Sequence, residues 1–299
     1  MKARTYETPA AFKAALEQRL RNLSTTGADF ARRRQLLVFD RFLARVGRVL
    51  GKAVMLKGGL VLEIRLDRAR TTRDVDLRLV GSPEDALAHL QEAGRLDLGD
   101  FMNFEIQLDP QQPAMQHAGE RYGGVRFRAE CKLAGQIYGQ RFGVDVGFAD
   151  PVAGEPDVVA GEDTLAFAGI EPPKLRLYPI ETHLAEKLHA YTLPRDRPNS
   201  RIKDLPDLAL LGTIRALQAT RLRRACAQTF DFRKTHLLPE SLPTPPAAWA
   251  AAYARMAEED ELPWRTLDDV TVAAKAFLDP LLGGARIVRW EPASWTWMS

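Results

Sequence analysis

Residues 53–80 read AVMLKGGLVLEIRLDRARTTRDVDLRLV. AVML is a short apolar strand, Gly58 and Gly59 break it, and LVLEIRL has the texture of the first turns of a helix. A further strand follows at Val75 to Val80, headed by Asp74 and Asp76. Residues i and i+2 of a strand point to the same face, so this order presents two carboxylates side by side. Unpaired, such neighbours repel; a hard divalent cation such as Mg²⁺ or Mn²⁺ removes the conflict, the more so when triphosphate oxygens complete its shell. The glycines serve the other half of that substrate, because a turn without Cβ atoms lets helix N-terminal N–H groups approach phosphate, and Lys57 adds a point charge there. A lone diglycine is a turn and a lone D-x-D is a solvated edge. It is their order, strand, glycine turn, helix, acidic strand, that points to phosphoryl or nucleotidyl displacement.

Working outward, apolar positions such as Leu36, Phe39, Phe42, Leu43, Val46 and Leu50 recur at helical steps, and the N-terminal segment reads as two helices. Pro83 to Ala93 is a surface helix, and NFEIQL, GVRFRAECKL and RFGVDVGF alternate or run apolar as strands of one sheet. Asp145, within the last of these, is a third acidic candidate, as a metal ligand or a base, because a charge between Val144 and Val146 is costly unless partnered. Turns fill 150–173, and helices follow at about Ile180 to Tyr191, Pro206 to Leu211, Ile214 to Phe230, Ala247 to Glu258 and Leu267 to Leu282. The expectation is an α/β fold of the α+β kind: a mixed-sheet catalytic lobe with N-terminal helices over 1–174, and a helical lobe over 175–299.

With 299 residues, 45% of them hydrophobic and 27% charged, the chain has ample material for a packed core. No apolar run approaches the roughly 20 residues that cross a bilayer, so no membrane partner and a cytoplasmic location are expected. Cys131 and Cys226 lack metal-ligand spacing and read as buried free thiols. The net charge of +3 is small, but arginines cluster at Arg32 to Arg34, Arg65 to Arg73 and Arg221 to Arg224, patches that suit phosphate or nucleic acid.

A second constellation lies in IETHLAEKLHAY, 180–191, where Lys187 falls inside the apolar stripe of Ile180, Leu184, Leu188 and Tyr191 and so faces inward, in want of an anion. Glu186 is turned away and solvated on this reading. His183 and His189 cannot share a helix face as a metal pair. In SRIKDLPDLALL, 200–211, Asp204 and Asp207 lie a helical step apart; Asp204 also reads as a helix cap, Asp207 less so.

Together, LKGG, RTTRDVDL, AEKLHAY and RIKDLPDL resemble the motifs of the AbiEii/AbiGii-type nucleotidyltransferase toxins, members of the DNA polymerase β-like nucleotidyltransferase superfamily found in abortive-infection and type IV toxin–antitoxin systems. The likeness runs over most of the chain. It implies a bi-lobed enzyme using a nucleoside triphosphate, with Gly58 and Gly59 as phosphate-binding turn and Asp74 and Asp76 as metal pair. Arg70 and Thr72 occupy the family's R-x-[ST] positions, Lys187 matches its nucleotide-contacting lysine, and Asp204 or Asp207 its later acid. Leu60 and Pro206 depart from the usual pattern without removing a proposed ligand.

The resemblance also implies an acceptor that is the 3′ end of tRNA or a protein hydroxyl, arrest of translation and growth, and a cognate antitoxin. Other readings of the same residues are transfer to a small molecule, or a noncatalytic module that binds nucleotide or antitoxin. The intact pair Asp74 and Asp76 argues against the last.

Overall fold

The computed structural model describes residues 4–66, 72–111, 114–115, 124–148, 150–195 and 201–299. Two capped helices open the chain. Thr8 accepts the Ala11 N–H ahead of α1 (Pro9–Leu23), and Thr26 accepts that of Asp29 ahead of α2 (Gly27–Leu50). These hydroxyls satisfy N–H groups that a helix start leaves without partners. Then come β1 (Val54–Lys57), α3 (Gly58–Arg65), β2 (Asp74–Leu79), α4 (Pro83–Arg95) and β3 (Met102–Leu108). After these lie β4 (Ala114–Met115), β5 (Gly124–Leu133), β6 (Gln136–Ile137), β7 (Phe142–Gly147), β8 (Asp157–Ala160) and β9 (Lys174–Leu177).

Seven of these strands form one mixed sheet in the order β3-β5-β7-β2-β1-β9-β8, with β4 and β6 paired to β5. β2 runs parallel to β7 and β1 parallel to β9, while the other neighbours are antiparallel. The fold is therefore mixed α/β, as expected. In β2 the pleat sends Val75, Leu77 and Leu79 into the core beneath α2 and α4, and leaves Asp74, Asp76 and Arg78 on the opposite face. That alternation makes the sheet's second face the polar one.

Charge enters the first core at one point. Asp100 takes the Arg45 fork at 2.6 and 2.9 Å, Arg41 Nε at 2.7 Å and the Met102 N–H at 3.0 Å, and its side chain is 0% exposed. Burial alone would raise its pKa, but the arginines outweigh burial and hold it below the ordinary carboxylate range.

The chain's second half is helical: α5 (Ile180–Thr192), α6 (Asp204–Thr213), α7 (Ala219–Arg233), α8 (Ala250–Glu259) and α9 (Leu267–Leu282). Their apolar faces form a second core around Leu184, Leu208, Leu222, Tyr253, Phe277 and Trp290. The helix expected from Ile214 begins only at Ala219, because β10 (Leu217–Gln218) pairs with a C-terminal hairpin of β11 (Arg289–Glu291) and β12 (Thr296–Met298). Three indoles of this hairpin fasten it to the helices: Trp290 donates to Gly212 O at 2.8 Å, Trp295 to Ala273 O at 3.1 Å and Trp297 to Phe277 O at 2.7 Å. β9 joins the sheet beside β1, and the second core gathers residues from Ile180 onward together with Leu62 of α3. Cys131 and Cys226 are buried free thiols. Among the described residues no helix is long and apolar enough to cross a membrane.

Candidate active site

Strand register brings the charged residues of the polar face into a line. Lys57 on β1 lies opposite Asp76 on β2, Asp76 opposite Asp145 on β7, and Asp145 opposite Arg126 on β5. Directly opposed residues share a face, so four adjacent strands present cation, anion, anion, cation in one row, with Asp74 beside it. Arg126 Nη1 donates to both oxygens of Asp145 at 2.9 and 2.8 Å, and its Nη2 to Asp74 Oδ1 at 2.9 Å. Asp145 is pushed up to about 7, first by burial and then by the Asp76 charge, against the pull of Arg126.

Two glycines make room for these groups. Gly58 holds φ at +70°, and a Cβ there would collide with the Asp76 carboxylate, which lies directly over the strand-to-helix turn. A Cβ at Gly143 would collide with Asp74 and stand 2.6 Å from Arg126 Nη2. Gly58 and Gly59 begin α3, so the expected diglycine turn does open a helix N-terminus beside the acidic pair.

Before β2, Thr72 donates its N–H to Glu63 at 3.0 Å and its hydroxyl to Asp74 O at 3.3 Å, which fixes where the strand starts. Arg70, expected beside it, lies outside the described residues.

Lys57 faces the helical half. Its ammonium donates to Asp150 at 2.8 Å and stands 3.6 Å from Glu186, while Arg233 approaches the same two carboxylates at 3.1 and 3.8 Å. Glu186 also accepts the Tyr178 hydroxyl at 3.2 Å. The expectation of a solvated Glu186 is corrected: the side of α5 that looks like a solvent face meets the sheet's Lys57, and the Glu186 side chain is only 15% exposed. Burial works against the Asp150 charge, but Lys57 and Arg233 override it and bring its pKa to about 2.

Lys187 points inward, as expected, and the anions it meets are Asp204 at 2.9 Å and Asp207 at 2.7 Å. Asp204 does not cap its helix. It is the first residue of α6, no side-chain cap bond forms there, and its carboxylate is taken by Lys187. His183, one turn before Lys187, is buried, neither ring nitrogen has a hydrogen-bond partner among the described residues, and burial brings its pKa to about 3. His189 is likewise buried and bonds to Thr235 and Arg233.

The arginine patches are narrower than the sequence suggests. Arg32 bonds Glu63, Arg33 bonds Asp29, Arg65 pairs with Asp157, and Arg223 donates to carbonyls of Leu281 and Ala285, whereas Arg73, Arg221 and Arg224 are exposed.

A mixed sheet that sets carboxylates of neighbouring strands beside a diglycine strand-to-helix turn is the architecture of a nucleotidyltransferase. The family described as "Nucleotidyl transferase AbiEii toxin, Type IV TA system" matches residues 41–279, and the chain belongs to that family and to its enzyme class. Among solved structures, the nucleotidyltransferase toxin MenT4 of Mycobacterium tuberculosis is similar at 15% identity over 94% of this chain and 85% of its own, with a TM-score of 0.53. JHP933 from Helicobacter pylori aligns at 16% identity over 84% of this chain and 92% of its own, with a TM-score of 0.49. At such identities the likeness is one of fold. No curated protein matches the sequence.

Proposed function

We propose that this protein transfers a nucleoside monophosphate from a nucleoside triphosphate to an acceptor hydroxyl, that of the tRNA 3′ end, and thereby arrests translation and growth in the cytoplasm until a cognate antitoxin intervenes. We read 1–174 as the catalytic lobe and 175–299 as the helical lobe that reaches the nucleotide from the other side. The observation that carries the reading is the row in which Asp76 and Asp145 stand side by side, with Asp74 adjacent, beside the Gly58 turn.

The donor set fits Mg²⁺ or Mn²⁺. Asp74, Asp76 and Asp145 offer hard oxygens, and a divalent cation would offset both the burial and the Asp76 charge that lift Asp145 to about 7. Among the described residues no His, Cys, Asp or Glu group forms a metal-ligating set as it stands, in keeping with the Arg126 guanidinium holding two of the three acids. When bound, the cations supply charge neutralisation on the attacking and leaving oxygens.

The chain's own groups do the rest. The N-terminus of α3 at Gly58 and Gly59 receives phosphate oxygens, with Lys57 and Thr72 at its margin. Lys187, steered by Asp204 and Asp207, contacts the nucleotide from the helical side. The acceptor oxygen forms its bond to the α-phosphorus as the bond to pyrophosphate breaks. Asp145, with a pKa near neutrality, either joins Asp74 and Asp76 as a ligand or takes the acceptor's proton.

The test is incubation of the protein with Mg²⁺, each labelled nucleoside triphosphate and total tRNA, beside the Asp76→Ala variant. Label on the tRNA 3′ end that Asp76→Ala abolishes is the expected result. Label on protein or small molecules alone would reassign the acceptor, and no label from any triphosphate would overturn the reading. The exposed Arg73, Arg221 and Arg224 support a nucleic-acid acceptor, whose binding should weaken steeply with salt.

A further inference from the structure

Arg126 is absent from the motif pattern, yet it bonds two members of the carboxylate cluster. Its Nη1 covers both oxygens of Asp145 and its Nη2 covers Oδ1 of Asp74. These are oxygens that a metal ion in the cluster would need, and a guanidinium N–H and a cation cannot occupy one lone pair together. Lys57 and Arg126 are the two cations of the row and Asp74, Asp76 and Asp145 its three anions, so the carboxylates outnumber the cations.

A retreat position is built beside it. Arg126 Nε lies 3.6 Å from Asp109, which also accepts from Arg128 Nε at 3.1 Å. Asp109 is 7% exposed and Arg126 27% exposed, so the anchor is fixed and the fork has room to move. On the other side the fork rests against Gly143, where a Cβ would stand 2.6 Å from Nη2. The contrast is Arg45, whose fork is 0% exposed and closed on Asp100.

We propose that Arg126 is an internal counter-cation exchanged for divalent metal: it holds Asp74 and Asp145 together in the metal-free protein and withdraws onto Asp109 when those oxygens take up the ion. The proposal rests on the reading that these carboxylates bind metal. Arg126 is thus a positioning residue. It keeps Asp74 and Asp145 in place before the substrate arrives, and it sets a threshold that favours loading by metal already carried on a triphosphate.

The test is Mn²⁺ binding by calorimetry to the full-length protein without nucleotide. Arg126→Gln should bind Mn²⁺ about tenfold more tightly than the parent, the equivalent of about 1.4 kcal/mol and of one charge-assisted hydrogen bond no longer in competition. Arg126→Lys, which keeps the charge but loses the fork, should fall between. Arg128→Gln, which removes a like charge one contact further away, should change affinity less than roughly twofold if contact and not net charge sets the threshold. Equal or weaker Mn²⁺ binding by Arg126→Gln, with binding lost in Asp76→Asn, overturns the exchange and leaves the metal site standing. Binding in Asp76→Asn as tight as in the parent overturns both.

Should Arg126→Gln fail to fold, the parent protein decides by NMR. The Arg126 Nε–H resonance should shift as Mg²⁺ is added, because Nε gains Asp109 as an acceptor while the Nη groups give up Asp74 and Asp145. A resonance unmoved at saturating Mg²⁺ overturns the proposal.

Discussion

Two clusters in this molecule use the same ingredients, arginine and aspartate, to opposite ends. Around Asp100, two guanidinium groups and a backbone N–H satisfy one carboxylate in a fully enclosed space. Around Asp145, one guanidinium serves carboxylates of which Asp74 is 40% exposed. In the first, two arginines outweigh burial and drive the acid below its usual pKa; in the second, burial and then the Asp76 charge outweigh Arg126 and drive Asp145 to about 7. Saturation and burial yield a structural clamp. Deficit and partial exposure yield a site with affinity to spare.

That contrast can be broken by exchange of single groups. Asp76→Asn should lower nucleotidyl transfer by roughly a thousandfold or more while shifting stability by less than about 1 kcal/mol, since it removes a charge from a crowded cluster; single-turnover labelling and denaturant melts check the two halves. Asp100→Ala should do the reverse and lower stability by roughly 3 kcal/mol, because Arg41 and Arg45 are left buried and unpaired. A midpoint in urea close to that of the parent would show that the clamp is not structural.

An intermediate case is Asp150, which ties Lys57 and Arg233. Its folded pKa of about 2 lies below the ordinary 3.8, so its contribution is fully present above 3.8 and is lost as pH falls towards 2. Asp150→Asn should cost about 2 kcal/mol at neutral pH, and the gap between variant and parent should close across that acid window. A pH-independent gap would assign the loss to packing. The smallest effect is expected at Gly58→Ala, about 1 kcal/mol of stability from the positive φ, accompanied by displaced Asp76 and reduced transfer.

Much of this was legible in the residues themselves. Local rules sufficed for the strand, glycine turn, helix and acidic strand of 54–79, because pleat alternation alone puts Asp74 and Asp76 on one face. Helical periodicity sufficed for the inward Lys187, and the burial cost of Asp145 flagged it. What escaped depends on register or on contacts between distant segments. The alternation of GVRFRAECKL sets Arg126, Arg128, Glu130 and Lys132 apart from the core, but which of them meets Asp145 depends on the offset of β5 against β7. Glu186 looked solvated because periodicity describes one helix and knows nothing of Lys57 across the interface. The strand Lys174–Leu177 hides behind Pro172 and Pro173, and the C-terminal hairpin strands are too short for alternation to register.

The pairing of β9 with β1 has one further consequence. Leu177 lies opposite Leu56, and the Tyr178 N–H bonds Leu56 O at 2.9 Å, so the polypeptide entering α5 is stitched to the strand that delivers the diglycine turn. No slack tether separates the helix carrying Lys187 from the sheet carrying the acids. The two are thus joined at a fixed root and not at a hinge.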